Sequence, residues 1–324
     1  MNTEPTLGAA RLPALIAARA RIAPHIHRTP LWRSRLLSRM TGCDVYLKCE
    51  LFQKTGSFKP RGMLNKLLTL TPDQKAKGAI TFSAGNAAQG LAYAAGIVGM
   101  KAVVVMPETA SPIKARATRE YGGEVIQKGD SAQCYAHSLE LVKERGYTFV
   151  SSFDDVVLME GHASLGLEIL EDLPDPDTVI VPIGGGGLIG GVILGLRSSG
   201  SKAEIVGVEP TGAPAMYRSL EAGKPVRLDR VSTIADGLAA PYAGEACFPL
   251  VRDGASGVVL LEDDQIAEAI RLLLFRCKIL AEGAGAASVA ALVTGKVQVA
   301  PGSKVVCVVS GGNIDPGRLI SLIS

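Results

Sequence analysis

The stretch "GSFKPRG" (56–62) sets one lysine, Lys59, between an aromatic residue and a proline, with small residues close on both sides. Surface lysines usually sit among polar neighbours. Ser57 can cap a helix and Pro60 suits a first turn, so the spacing predicts Lys59 at a helix start. An amine held near positive helix ends and apolar groups loses part of its preference for the charged form. It becomes a nucleophile able to form a Schiff base. An ordinary helix-start lysine paired with an acid is the competing reading.

Three glycine-rich corners follow strand-like runs: "SAGNAAQG" (83–90), "GGGGLIGG" (184–191) and "SGGNID" (310–315). In open α/β sheets ligands bind at the carboxyl ends of strands, where helix N-termini offer free amides. Gly184, Gly185, Gly186 and Gly187 let several N–H groups face one point with no Cβ to block an oxyanion, which describes a phosphate cradle. A helix starting at Leu188 adds its positive end. Gly185, Gly187 and Gly190 also satisfy G-x-G-x-x-G, with Glu209 about 20 residues on, so an NAD-dependent oxidoreductase is a rival. Ser83, Asn86 and Gln89 suit a substrate carboxylate at the first corner, although plain N-capping explains Ser83 or Asn86 equally well.

The elements that must carry these corners are short β-branched runs between helical stretches. They are 45–48, 79–83, 102–107, 124–126, 148–152, 178–183, 204–210, 257–261 and 304–310. Such apolar runs predict parallel strands covered on both faces, an α/β fold of two doubly wound domains with mostly parallel sheets. The expected division is residues 1–70 with 155–324 as the large domain and 71–154 as the small one. With 324 residues, 47% hydrophobic and 20% charged, the chain can bury a large core. A net charge of +3, with no basic run, argues against nucleic acid. The six cysteines lack any C-x-x-C pair and read as reduced core residues of a cytoplasmic protein. Alanine-rich "ILAEGAGAASVAALV", broken by Glu282, is too short and polar to span a membrane.

Taken in order, "QKTGSFKPRG", "SAGNAAQG", "GGGGLIGG", "EGAGAAS" and "SGGNID" resemble the fold-type II pyridoxal-phosphate (PLP) enzymes. The threonine/serine dehydratase and serine racemase group is the nearest likeness. The resemblance implies that Lys59 carries PLP as an imine, with Lys59 and Ser83 as the catalytic residues. Phe58 would pack on the cofactor ring and Asn86 bond its phenolic oxygen. Gly184, Gly185, Gly186, Gly187 and Leu188 would hold the phosphate, and Ser310 would meet the pyridine nitrogen. Glu282, Asp236 and Gly237 would border the site, the last two with Ser83, Asn86 and Gln89 on the substrate side.

A serine at the pyridine nitrogen makes the cofactor a weaker electron sink than a carboxylate would, which favours prompt loss of a β-substituent over transamination. The implied activity is elimination of water from a β-hydroxy amino acid, threonine or serine, to give a 2-oxo acid and ammonia. Ala84 stands where racemases of the group have a serine, so little racemisation is expected. Ala87 replaces a usual histidine, which leaves room for a bulkier substrate of phenylserine or hydroxyaspartate type. A serine racemase or threonine synthase-like PLP enzyme is the competing reading within the cofactor class. Glu209 and the carbonyl of Ala213 match part of a divalent-cation site for Mg or Ca, but its second acid is Ala215 here. A homodimer or higher homo-oligomer is expected, and no C-terminal regulatory domain.

Overall fold

The computed structural model describes residues 7–324. Its ten strands are β1 (Leu31–Arg33), β2 (Asp44–Cys49), β3 (Ala79–Phe82), β4 (Ala102–Met106), β5 (Glu124–Gln127), β6 (Thr148–Phe149), β7 (Thr178–Pro182), β8 (Glu204–Pro210), β9 (Gly257–Leu261) and β10 (Lys304–Val309). All nine runs anticipated from the sequence are strands. β4 and β7 are buried at every position, as strands covered on both faces must be. β1 is the one missed: three residues, two of them exposed, give no apolar run to read. It pairs antiparallel to β2, which the expectation of mostly parallel sheets allows.

The strands form a six-stranded sheet, in the order β1-β2-β10-β7-β8-β9, and a four-stranded sheet, β5-β4-β3-β6. Every pairing apart from β1–β2 is parallel. In the larger sheet the chain winds one way through β7, β8 and β9, then returns so that β10 lies between β2 and β7. In the smaller sheet it winds through β3, β4 and β5, then places β6 on the other side of β3. Each sheet therefore has a topological switch point, at β7/β10 and at β3/β6. Crevices open at the carboxyl ends of strands at such points.

The helices that reach the site are α1 (Lys59–Leu68), α2 (Asn86–Val98), α3 (Pro112–Glu120), α4 (Val156–Asp172), α5 (Gly187–Ser198), α6 (Ala215–Ala222) and α7 (Gly283–Val293). Helix α1 packs against both α2 and α4 and so stands between the two sheets. Its first turn is tied down by a buried ionic network. The Arg61 guanidinium donates to Glu50 (2.7 and 2.9 Å) and to Glu168 (2.7 and 2.8 Å), and Lys48 donates to Glu168 at 2.6 Å. Two acids balance two bases, which is what lets all four be buried. The six cysteines are free and buried, as the sequence implied.

Candidate active site

Four strand ends, two from each switch point, converge on one cavity of about 270 Å³. The end of β3 and the segment after it contribute Phe82 to Ala87, the segment after β6 Ser152 and Phe153, that after β7 Gly184 to Leu188, and that after β10 Ser310. Phe58 and Lys59, Asp236 to Tyr242, and Glu282 also line it, with Lys114, Pro182 and Ala284. The structure thus gathers every residue singled out for the site except Gln89, Glu209 and Ala213. Gln89 is buried one turn into α2 and does not line the cavity.

Lys59 begins α1, as its neighbours predict, and Pro60 occupies the first turn. Ser57 does not cap the helix. Phe58 holds that position without a side-chain bond, and the Ser57 hydroxyl is buried with no partner among the described residues. The Lys59 amine donates to the Ser152 carbonyl at 2.5 Å and lies 4.9 Å from the centre of the Phe58 ring. Burial pushes its pKa down to about 8, against the weaker opposing pull of Cys247 and Glu282. Gly90 of α2 is what lets the two helices close around it, since a Cβ there would stand 2.9 Å from the Lys59 Cβ.

At three of its four positions the tetraglycine turn admits nothing larger. A Cβ on Gly185 would stand 2.2 Å from the Phe153 ring, and one on Gly187 would stand 2.6 Å from the Phe153 carbonyl oxygen. Gly186 has φ +107, a conformation that favours glycine, and a Cβ there would meet the Cys247 side chain at 2.7 Å. The first bond within α5 is Gly190 N–H to the Gly186 carbonyl at 2.9 Å, so the preceding amides have no intrahelical acceptor. A cradle this tight, floored by free amides, fits a phosphate group. The adjoining amine and the Phe58 ring fit the aldehyde and ring of PLP.

At the first corner Gly85, not a side chain, precedes α2, which weakens the N-capping reading of Asn86. Ser83 accepts instead from Gly85 N–H at 3.2 Å. The Asn86 amide donates to Glu282 at 2.6 Å and accepts from Asn313 at 2.7 Å. Burial, then the nearby Asp236, push the Glu282 carboxyl up to about 7. Asp236 pairs with Lys114 of α3, and Ser111 donates to Asp315 at 3.0 Å. These contacts bridge the two sheets beside the cavity.

Sequence reasoning passed over Asn313, although it lies inside the quoted "SGGNID". It also passed over Phe153, Lys114 and Tyr242, whose surroundings carry no motif. Glu209 lies elsewhere. Its two oxygens accept from Met216 and Tyr217 N–H, both at 2.8 Å, so it serves as the cap of α6. Among the described residues no group of three or more His, Cys, Asp or Glu could hold a metal ion.

Comparisons with known proteins agree with this geometry. The family described as pyridoxal-phosphate dependent enzyme matches residues 22–311. An L-threonine ammonia-lyase of Geobacter sulfurreducens is 45% identical over 296 residues, covering 91% of this chain and 73% of that one. The structure of maize serine racemase superposes with a TM-score of 0.92 at 36% identity, over 97% of this chain and 96% of that one. The processed form of threonine deaminase isoform 2 from Solanum lycopersicum gives 0.90 at 33% identity, over 98% and 95%. The dinucleotide reading of Gly185, Gly187, Gly190 and Glu209 is thereby set aside: with its lysine and glycine cradle on one cavity, this chain belongs to the pyridoxal-phosphate dependent enzymes.

Proposed function

We propose that the chain is a PLP-dependent ammonia-lyase that removes water from a β-hydroxy amino acid, threonine or serine, and releases a 2-oxo acid and ammonia. The observation that carries the reading is the meeting of a lysine of lowered pKa with a glycine phosphate cradle in one cavity. Relatives named for this reaction on L-threonine are its second support. Bound PLP supplies an electron sink that acidifies the α-proton of an attached amino acid.

In this reading the amine of Lys59, with its pKa near 8, is matched to taking and returning that proton close to neutral pH. Phe58 would flank the ring, Ser310 would meet its nitrogen, and Gly184 to Leu188 would hold the phosphate. Asn86, held between Glu282 and Asn313, is aimed by two fixed partners, so its orientation costs no entropy at the moment of binding. Ser83 and Asn86 receive the substrate carboxylate, and Asp236 and Gly237 close the opposite side. Ala84 lines the cavity and has no titratable group, which supports elimination over racemisation. Gln89 is not at the cavity wall, so any contribution passes through the packing of α2. An ion at Glu209 and the Ala213 carbonyl would have to displace two amides from the carboxylate, and the reading gives it no part.

A second reading rests on the small side chains of Ala84 and Ala87 in the cavity wall, which suit a β-hydroxy amino acid bulkier than threonine. The two sheets serve as two domains in this proposal, 71–154 around the smaller and 1–70 with 155–324 around the larger, with residues 1–6 outside the described chain. A homo-oligomer in the cytoplasm completes it; the six free cysteines suit a reducing compartment. The test is ammonia release from a panel of β-hydroxy amino acids, with Lys59→Ala as control. Borohydride reduction should place a pyridoxyl group on Lys59. An adduct elsewhere, or keto acid formation undiminished in Lys59→Ala, would refute the assignment.

A further inference from the structure

His162 lies on α4, fully buried, and does not line the cavity. Its ring is wedged between the helix that begins with the lysine and the helix that follows the glycines. The Nδ1 atom is 3.2 Å from the Gly187 carbonyl oxygen, and the ring meets the Phe58 ring edge-on with centroids 4.9 Å apart. Two further glycines make the space. A Cβ on Gly191 of α5 would stand 2.4 Å from the His162 Cβ, and one on Gly62 of α1 would stand 2.4 Å from Nε2.

Burial, then the charge of Lys59, hold the His162 pKa down at about 3, so the ring is neutral wherever the protein works. A carbonyl can only accept, so the single ring proton sits on Nδ1 and Nε2 keeps a lone pair with no partner. The Gly187 carbonyl and the Leu188 N–H belong to one planar peptide and point in opposite directions. Fixing the first therefore aims the second. Donation to the carbonyl also polarises that peptide and strengthens its N–H as a donor.

We propose that His162 is a positioning residue, which aims the Leu188 amide at a phosphate oxygen in the tetraglycine cradle and sets the spacing between α1 and α5. The inference rests on the reading that this cradle holds the PLP phosphate and Lys59 the aldehyde. It assigns His162 a part in recognising the phosphate group itself, distinct from the packing role that any buried ring of its size would fill.

Two variants separate these roles, because Asn and Leu have the same shape and only Asn can donate near the position of Nδ1. Dissociation constants for PLP and for pyridoxal, which lacks the phosphate, are measured on the full chain freed of cofactor with hydroxylamine. Relative to His162→Asn, His162→Leu should bind PLP roughly fivefold more weakly, the worth of one hydrogen bond, and pyridoxal equally well. Equal PLP affinity in the two variants, or an equal loss toward both ligands, would overturn the proposal. Should His162→Leu fail to fold, the parent protein labelled with ¹⁵N-leucine decides: the Leu188 amide proton should move downfield when PLP binds, and an unmoved signal refutes the role. A borohydride adduct away from Lys59 would instead refute the underlying assignment, so the two failures are distinguishable.

Discussion

Replacing Arg61 by leucine tests whether the ionic network holds the first turn of α1 in place. Arg61 is fully buried and donates to Glu50, Glu168, Ser164 and Thr29. Without it Glu168 keeps Lys48, whereas Glu50 keeps only the Thr29 hydroxyl, and a charge is left in the core. Removing one partner of such a pair costs about 3–5 kcal/mol. An unfolding entropy of ~2 cal/mol/K per residue over 324 residues makes that a fall in Tm of about 5–8 °C. Scanning calorimetry at pH 7 measures it. The double variant Arg61→Leu/Glu50→Gln should recover about half of the loss by removing the stranded charge. The acid limb of stability should move as well. Burial pushes the Glu168 carboxyl up, but Arg61 and Lys48 together leave it below the usual range. Its contribution is therefore present above the unfolded value and lost as pH falls through the lower folded one, so Arg61→Leu should unfold at a higher pH. A variant melting within 2 °C of the parent (~1 kcal/mol), with unchanged acid unfolding, would refute the reasoning.

Four other outcomes follow from the geometry. Capture of PLP by the cofactor-free protein should quicken as pH rises and level off above about 8, because Lys59 loses its proton there, well below an ordinary lysine; stopped-flow absorbance reads this. Gly187→Ala should lose PLP on gel filtration because its Cβ meets the backbone of Phe153, whereas Gly190→Ala, which meets the flexible Met159 sulfur, should retain it. Glu209, pushed up to about 8 by burial, favours the fold in its neutral form; that stability is full at acid pH and lost as pH rises through 8, so melting of Glu209→Gln should improve relative to the parent between pH 6 and pH 9. Ala87→His should lower activity on phenylserine more than on threonine, and an unchanged substrate panel would count against the bulky-substrate reading.

Much of this architecture was legible because its signals are local. Runs such as "AVVVMP" and "KVVCVV" announce buried strands, and four glycines in a row have few uses besides an anion turn. The lysine at a helix start was legible for the same reason. Its actual capping was not, because Ser57 is drawn into a bridge with Gly311, over 250 residues away. Strand order was equally hidden: nothing in β10 says that it inserts between β2 and β7. The partners of Asn86 depend on that insertion, since Asn313 follows β10. Tyr242 and Phe153 carry no motif; their rings, 5.2 Å apart, meet only once distant loops close over the glycines.

The glycines divide the cavity into two walls with different freedoms to change. Around Lys59 and the cradle an added methyl group collides with backbone or a packed ring at Gly185, Gly187 and Gly62, and with the Lys59 side chain itself at Gly90. Ala84 and Tyr242 are instead carried on connecting segments, and Ala87 in the first turn of α2, where no strand has to move with them. A lineage, or an engineer, could therefore redraw which amino acid is accepted while the reactive half stays frozen.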